Sequence, residues 1–133
     1  MKIHPMITVR DVRASAAWYE RVLGLESAHG GDEYEQLVQD GKLLLQLHNN
    51  EPDMNHDALA EEGEHLGGGV LLWFKTQDFE AQVERLRDAA IVPEVAPYMN
   101  EYARHMEVWF RDPDGYRIVV AGPSAYDKDD QPR

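Results

Sequence analysis

Apolar runs recur in the same order twice along this chain of 133 residues, and that repeat limits its fold more than any single motif. Ile3 to Val9 reads as a strand rich in apolar and β-branched residues. A helix follows, with Ala16, Tyr19, Val22 and Leu23 on one face and Gly24 placed for a left-handed cap. Leu25 to Ala28, Tyr34 to Val38 and Lys42 to His48 are short strands separated by the turn signals Gly30-Gly31-Asp32 and Asp40-Gly41. The pattern then starts again. Val70 to Phe74 is a strand, Asp78 caps a helix with Phe79, Val83 and Leu86 on one face, and Ile91 to Val95, Met106 to Phe110 and Tyr116 to Ala121 are three more strands. The two helices share a Glu-Arg pair, Glu20-Arg21 and Glu84-Arg85, about 64 residues apart.

A strand, a helix and three strands, given twice, predict an α+β fold of two tandem βαβββ modules. Each helix is expected to cover one face of its sheet, while the other faces curve around a cavity, the default place for a ligand. Module one spans about 1–50, a connecting segment about 51–68 and module two about 69–122, together one domain, with a flexible tail over 123–133. The connecting stretch, Asn49 to Gly68, is long, polar and acidic, with a helical turn expected around His56 to Glu62. Such a segment links modules or acts as a lid. Gly67-Gly68-Gly69 ends it and permits chain reversal or close backbone approach, since it lacks the Lys and helix of a phosphate loop.

Composition removes several function classes. Without cysteine there is no disulfide framework, zinc ribbon or thiol nucleophile, so metal ligands must come from His, Asp, Glu or Gln. The formal charge of −12 argues against nucleic acid and suits either solubility or attraction of cationic ligands. No apolar run suits a bilayer and the N-terminus has no signal-peptide pattern, so the expectation is a soluble cytoplasmic protein. Ser15 has no His/Asp arrangement around it and reads as a helix cap rather than a nucleophile.

His4-Pro5-Met6-Ile7-Thr8-Val9-Arg10-Asp11, then Ser15, Trp18-Tyr19 and Leu23-Gly24, resembles the opening of the vicinal oxygen chelate superfamily of glyoxalases, bleomycin-resistance proteins and extradiol dioxygenases. Asp112-Pro113-Asp114-Gly115-Tyr116-Arg117-Ile118 resembles its final hairpin, so the likeness covers nearly the whole chain to Gly122. The resemblance implies four metal-ligand positions on four strands. Here they fall on His4, Gln46, Gly69 and Val119. Glycine has no side chain and valine no donor atom, so these positions read as vestigial and no cofactor is expected. The alternative is a displaced divalent-metal site of His4, His48 or His105 with Glu107.

Strand alternation assigns the remaining candidates. Met106, Val108 and Phe110 face the helix, leaving His105, Glu107 and Trp109 for the cavity. Ile118 and Val120 likewise leave Arg117 and Val119. His4, Met6 and Thr8 share a face, as do Leu44, Gln46 and His48, and Gly69, Leu71 and Trp73. The expected ligand-binding residues are His4, Met6, Gln46, His48, Trp73, His105, Glu107 and Trp109. Tyr98, Tyr102 and Arg104 are placed with His105 in a polar stretch able to close over a ligand. Aromatic walls with a carboxylate suit a planar or cationic small molecule.

The first reading is a metal-independent small-molecule-binding protein similar to bleomycin-resistance proteins, for which the resemblance implies a homodimer. The second is a glyoxalase-like lyase or isomerase, or a dioxygenase, with a rearranged metal site. The third is an interaction module whose own side chains, Trp73 and Trp109 included, fill the cavity.

Overall fold

The computed structural model describes residues 1–52, 57–61 and 65–126. The backbone divides into two compact units, Met1–Leu66 and Gly67–Arg133. In the first, β1 (Met6–Thr8) leads to α1 (Val12–Leu23), then β2 (Glu26–Gly30), β3 (Tyr34–Gln39) and β4 (Lys42–His48). In the second, β5 (Leu71–Lys75) leads to α2 (Phe79–Asp88), then β6 (Val95–Asn100), β7 (His105–Arg111) and β8 (Arg117–Ala121). The sheets are ordered β1-β4-β3-β2 and β5-β8-β7-β6. In each, the first and last strands of the module run parallel and the other neighbours antiparallel. The expected repeat of two βαβββ modules is therefore the observed architecture.

Local chemistry sets the helix limits. Asp11 accepts the Ala14 N–H at 3.0 Å and begins α1, while Gly24 at φ 70° ends it by donating to the Glu20 carbonyl at 3.0 Å. The expected cap, Ser15, instead lies buried inside α1, because Asp11 is already in the capping position. Asp78 caps α2 as expected, accepting from Ala81 at 3.0 Å. In module one, Tyr19 and Val22 of α1 are buried together with Leu37, Leu45 and Leu47 of the sheet beneath. In module two, Phe79 and Leu86 of α2 are buried, as are Val108, Phe110, Ile118 and Val120. Val83 of the same helix is half-buried.

The turn between β7 and β8 is built on Asp112, whose carboxylate accepts the N–H groups of Asp114 and Tyr116, both at 2.9 Å. Gly67 takes φ 80°, and a Cβ there would lie 3.0 Å from the Tyr116 Cα. The expected close backbone approach is thus real at this glycine.

The strands β1 and β6 differ most from expectation. Pro5 has no N–H for the ladder, so β1 starts at Met6 rather than Ile3 and leaves His4 outside the strand. Ile91 to Val95 is mostly not strand. Ala90 takes φ 56° and the Ile91 N–H bonds the Leu86 carbonyl at 2.9 Å, closing off α2. The chain reaches the sheet only at Glu94, whose N–H bonds the Trp109 carbonyl at 2.8 Å. The stretch read as a polar closing segment consequently contains half of β6, with His105 already in β7.

The helical turn expected around His56 to Glu62 falls partly outside the described residues, and 57–61 are not helical. Asn50 instead holds Ala60 through two hydrogen bonds, at 3.0 and 2.8 Å. The tail is tied at its start by the Ser124 hydroxyl, which donates to the Ala103 carbonyl at 2.6 Å, and 127–133 lie outside the described residues. Among the described residues no helix is long and apolar enough to cross a membrane.

Candidate functional site

Cross-strand register builds the site in module two. Trp73, Val119, Trp109 and Val95 stand opposite one another across β5, β8, β7 and β6, and so share a sheet face. Lys75, Ala121, Glu107 and Tyr98 form the next row, and His105 with Asn100 the one beyond β7 and β6. The register shifts between Val95 and Tyr98. This bulge contains Pro97, which an edge strand tolerates because its missing N–H can face away from the ladder. Without it, alternation from Val95 would bring Met99 to this face. With it, Tyr98 and Asn100 arrive beside Glu107.

Glu107 is the centre of the arrangement. It is only 1% exposed, yet four side chains donate to its carboxylate. The Tyr98 hydroxyl and the Trp109 indole N–H (3.1 Å) reach Oε2, while the Asn100 amide (3.0 Å) and the His105 Nε2 (2.8 Å) reach Oε1. Burial pushes the carboxyl pKa up, but the donors from Tyr98, His105, Trp109 and Asn100 outweigh it and leave the value at about 2. Glu107 is therefore an anion at neutral pH. The Tyr98 hydroxyl is pushed the other way, above the usual phenol range, first by its bond to Glu107 and then by burial and the carboxylate charge.

A deprotonated carboxylate only accepts, so the proton shared with His105 resides on Nε2. The imidazole is buried, and its other nitrogen, Nδ1, has no hydrogen-bond partner. The Trp73 ring lies 5.8 Å from it, centroid to centroid, at 49°, and Trp73 is 45% exposed. The Arg117 guanidinium lies 6.0 Å from the centre of the Trp109 ring and is also 3.5 Å from Glu94. Of the eight expected ligand residues, this module thus gathers Trp73, His105, Glu107 and Trp109 in one polar and aromatic cluster.

The other four belong to module one. Met6 stands opposite Gln46, on the same face. Gln46 accepts the Tyr34 hydroxyl at 2.6 Å and donates to the His4 carbonyl at 3.0 Å. His48 is buried, bonds the Asn49 carbonyl through Nδ1 at 2.6 Å and lies 6.3 Å from the Tyr34 ring. His4 itself is exposed and meets Gln46 through its backbone. Module one also has a cavity of about 860 Å³, lined by Thr8, Arg10, Asp11, Asn49 and Glu51 among others. None of the eight expected residues lines it.

These donors do not fit a divalent metal. Val119 is fully buried and without a donor atom, and Gly69 precedes β5 at φ 72°. The Gln46 oxygen already accepts from Tyr34, and both Glu107 oxygens are taken by two donors each. Among the described residues no three His, Asp or Glu side chains form a group able to hold a metal ion, and of the displaced set module two itself brings together only His105 and Glu107.

Tyr98, Asn100 and Tyr34 are the partners that reading the sequence by faces missed. Tyr98 and Asn100 are hidden by the bulge. Tyr34 stands opposite His48 in the β3/β4 ladder, a register that a single strand does not reveal.

Comparison with known proteins agrees with this architecture. The model of the Glyoxalase/Bleomycin resistance protein/Dioxygenase superfamily matches residues 3–120. No curated protein matches the chain. Among solved structures, an integron cassette protein from the mobile metagenome of V. cholerae is 24% identical, with a TM-score of 0.70, covering 93% of this chain and 98% of that one. A virulence protein from Salmonella typhimurium is 22% identical, with a TM-score of 0.66, covering 92% and 98%. A lactoylglutathione lyase from Agrobacterium tumefaciens is 18% identical, with a TM-score of 0.68, covering 92% of each chain. Such likenesses speak for the fold alone. Two βαβββ modules, the Asp-Pro-Asp-Gly hairpin and a family match over nearly the whole length converge: the chain belongs to the glyoxalase/bleomycin resistance protein/dioxygenase superfamily.

Proposed function

We propose that this protein binds a planar or cationic small molecule without a metal, as a sequestering member of its superfamily, at the aromatic and polar sheet face of module two. The observation that carries the reading is the saturated carboxylate of Glu107. Its charge goes into fixing Tyr98, Asn100, His105 and Trp109, not into holding a cation of its own. A fixed Trp109 and a half-exposed Trp73 supply flat apolar surface for a ring. The overall charge of −12 supports attraction of a cationic ligand at long range. A homodimer in the cytoplasm belongs to the same proposal.

A second reading, a glyoxalase-like lyase, draws on the Glu107–His105 pair, since a carboxylate behind an imidazole is an arrangement used for proton transfer. Thermal denaturation separates the two. The binding reading expects stabilisation by planar aromatic cations and none by Ni²⁺, Zn²⁺, Mn²⁺ or Fe²⁺, because only a ligand of the native state raises the melting temperature. Stabilisation by one of these metals, together with lactoylglutathione lyase activity that depends on it, would overturn the binding reading in favour of the enzyme.

A further inference from the structure

Buried polar atoms in folded proteins nearly always have partners, so one without a partner calls for a cause. Among the described residues the sole such side-chain atom is the Nδ1 of His105. It is not a loosely held group. Glu107 fixes the other end of the ring at 2.8 Å, and Glu107 is itself held by Tyr98, Asn100 and Trp109. The ring is thus locked in orientation and tautomer, with the proton on Nε2. In the neutral ring the lone pair at Nδ1 is an acceptor, and the carboxylate behind it strengthens that acceptor.

We propose that His105 Nδ1 selects the ligand, taking a hydrogen bond from an N–H group on a planar heteroaromatic ring seated beside Trp73. The inference rests on the reading of module two as a binding face and adds the chemistry of the group it recognises. A ring without such a donor leaves Nδ1 as unpaired as it is in the free protein and gains nothing there, so it binds more weakly. Trp73 is the half-exposed side chain in ring contact with His105, so it is the group that moves aside to admit a ligand. Its indole face then stacks on the incoming ring.

The test compares indole with 1-methylindole, which keeps the ring and removes the N–H. Both are titrated into ¹⁵N-labelled protein while the side-chain nitrogen resonances of His105 and the indole signals of Trp73 and Trp109 are followed. The unliganded protein at pH 7 is expected to show a protonated Nε2 and a bare Nδ1. Indole is expected to move the Nδ1 and Trp73 signals, and 1-methylindole to bind at least about tenfold more weakly and leave Nδ1 unmoved. His105→Gln, whose amide can still donate to Glu107, is expected to remove the difference between the two probes. Equal binding of both probes at Trp73 overturns the selector while leaving the binding face standing. A ring protonated on both nitrogens also overturns it, because Nδ1 would then be a donor. Failure of both probes to move Trp73, Trp109 or His105 overturns the selector and the binding face together.

Discussion

Replacing Glu107 by Gln keeps the size of the side chain and removes its charge. In the unfolded chain this carboxyl titrates near 4.5, and in the folded protein at about 2. The difference corresponds to about 3 kcal/mol of folding stability. The direction follows from the depressed native value. The contribution is complete above the unfolded pKa and is lost as pH falls through 4.5 towards about 2, where both states are protonated. Glu107→Gln also turns an amide N–H₂ towards donors that need an acceptor, so the loss at pH 7 should reach at least about 3 kcal/mol. Urea denaturation at pH 7, 5, 4 and 3, followed by tryptophan fluorescence, measures the gap between the two proteins. The gap should be largest at pH 7 and 5 and narrow at pH 4 and 3. A variant within about 0.5 kcal/mol of the native protein at pH 7, the range of ordinary surface substitutions, would refute the account of Glu107 as a buried, fully partnered anion.

Other substitutions test the surrounding structure. Asp112→Ala should lower stability by about 1–3 kcal/mol in the same denaturation assay, since it removes the acceptor of the Asp114 and Tyr116 N–H groups. Gly67→Ala should cost about 1 kcal/mol or more, because φ is 80° and the new Cβ would meet the Tyr116 backbone at 3.0 Å. Val119→Glu places a carboxylate at the last of the four ligand positions that the resemblance implies, yet it should destabilise by more than about 2 kcal/mol, as an unpaired charge at a fully buried position. Equilibrium dialysis against Zn²⁺ should still find no stoichiometric metal on that variant.

Much of the fold was legible because it rests on short-range rules. Asp78 and Gly24 cap their helices where the sequence places them, and the alternation of β7 correctly puts His105, Glu107 and Trp109 on one face. The site was less legible because it depends on pairing between strands. The bulge at Pro97 switches which residues of β6 meet Glu107, and no local pattern announces it. Pro5 similarly ended β1 short of His4, although the apolar run continued through Ile3. Glu107 itself read as a carboxylate offered to a ligand. The four donors that occupy it come from β6 and β7, so these partners emerged only with the register of that pair.

Metal content tests the central claim most directly. The chain would be purified without an affinity tag, dialysed against Ni²⁺, Zn²⁺, Mn²⁺ or Fe²⁺, freed of excess ion and analysed by elemental mass spectrometry beside a His4→Ala variant. With Gly69 and Val119 unable to ligate, and with Gln46 and Glu107 bound to protein donors, bound metal should be far below one ion per chain and the same in both proteins. One ion per chain, lost on changing His4 to Ala, would contradict the account.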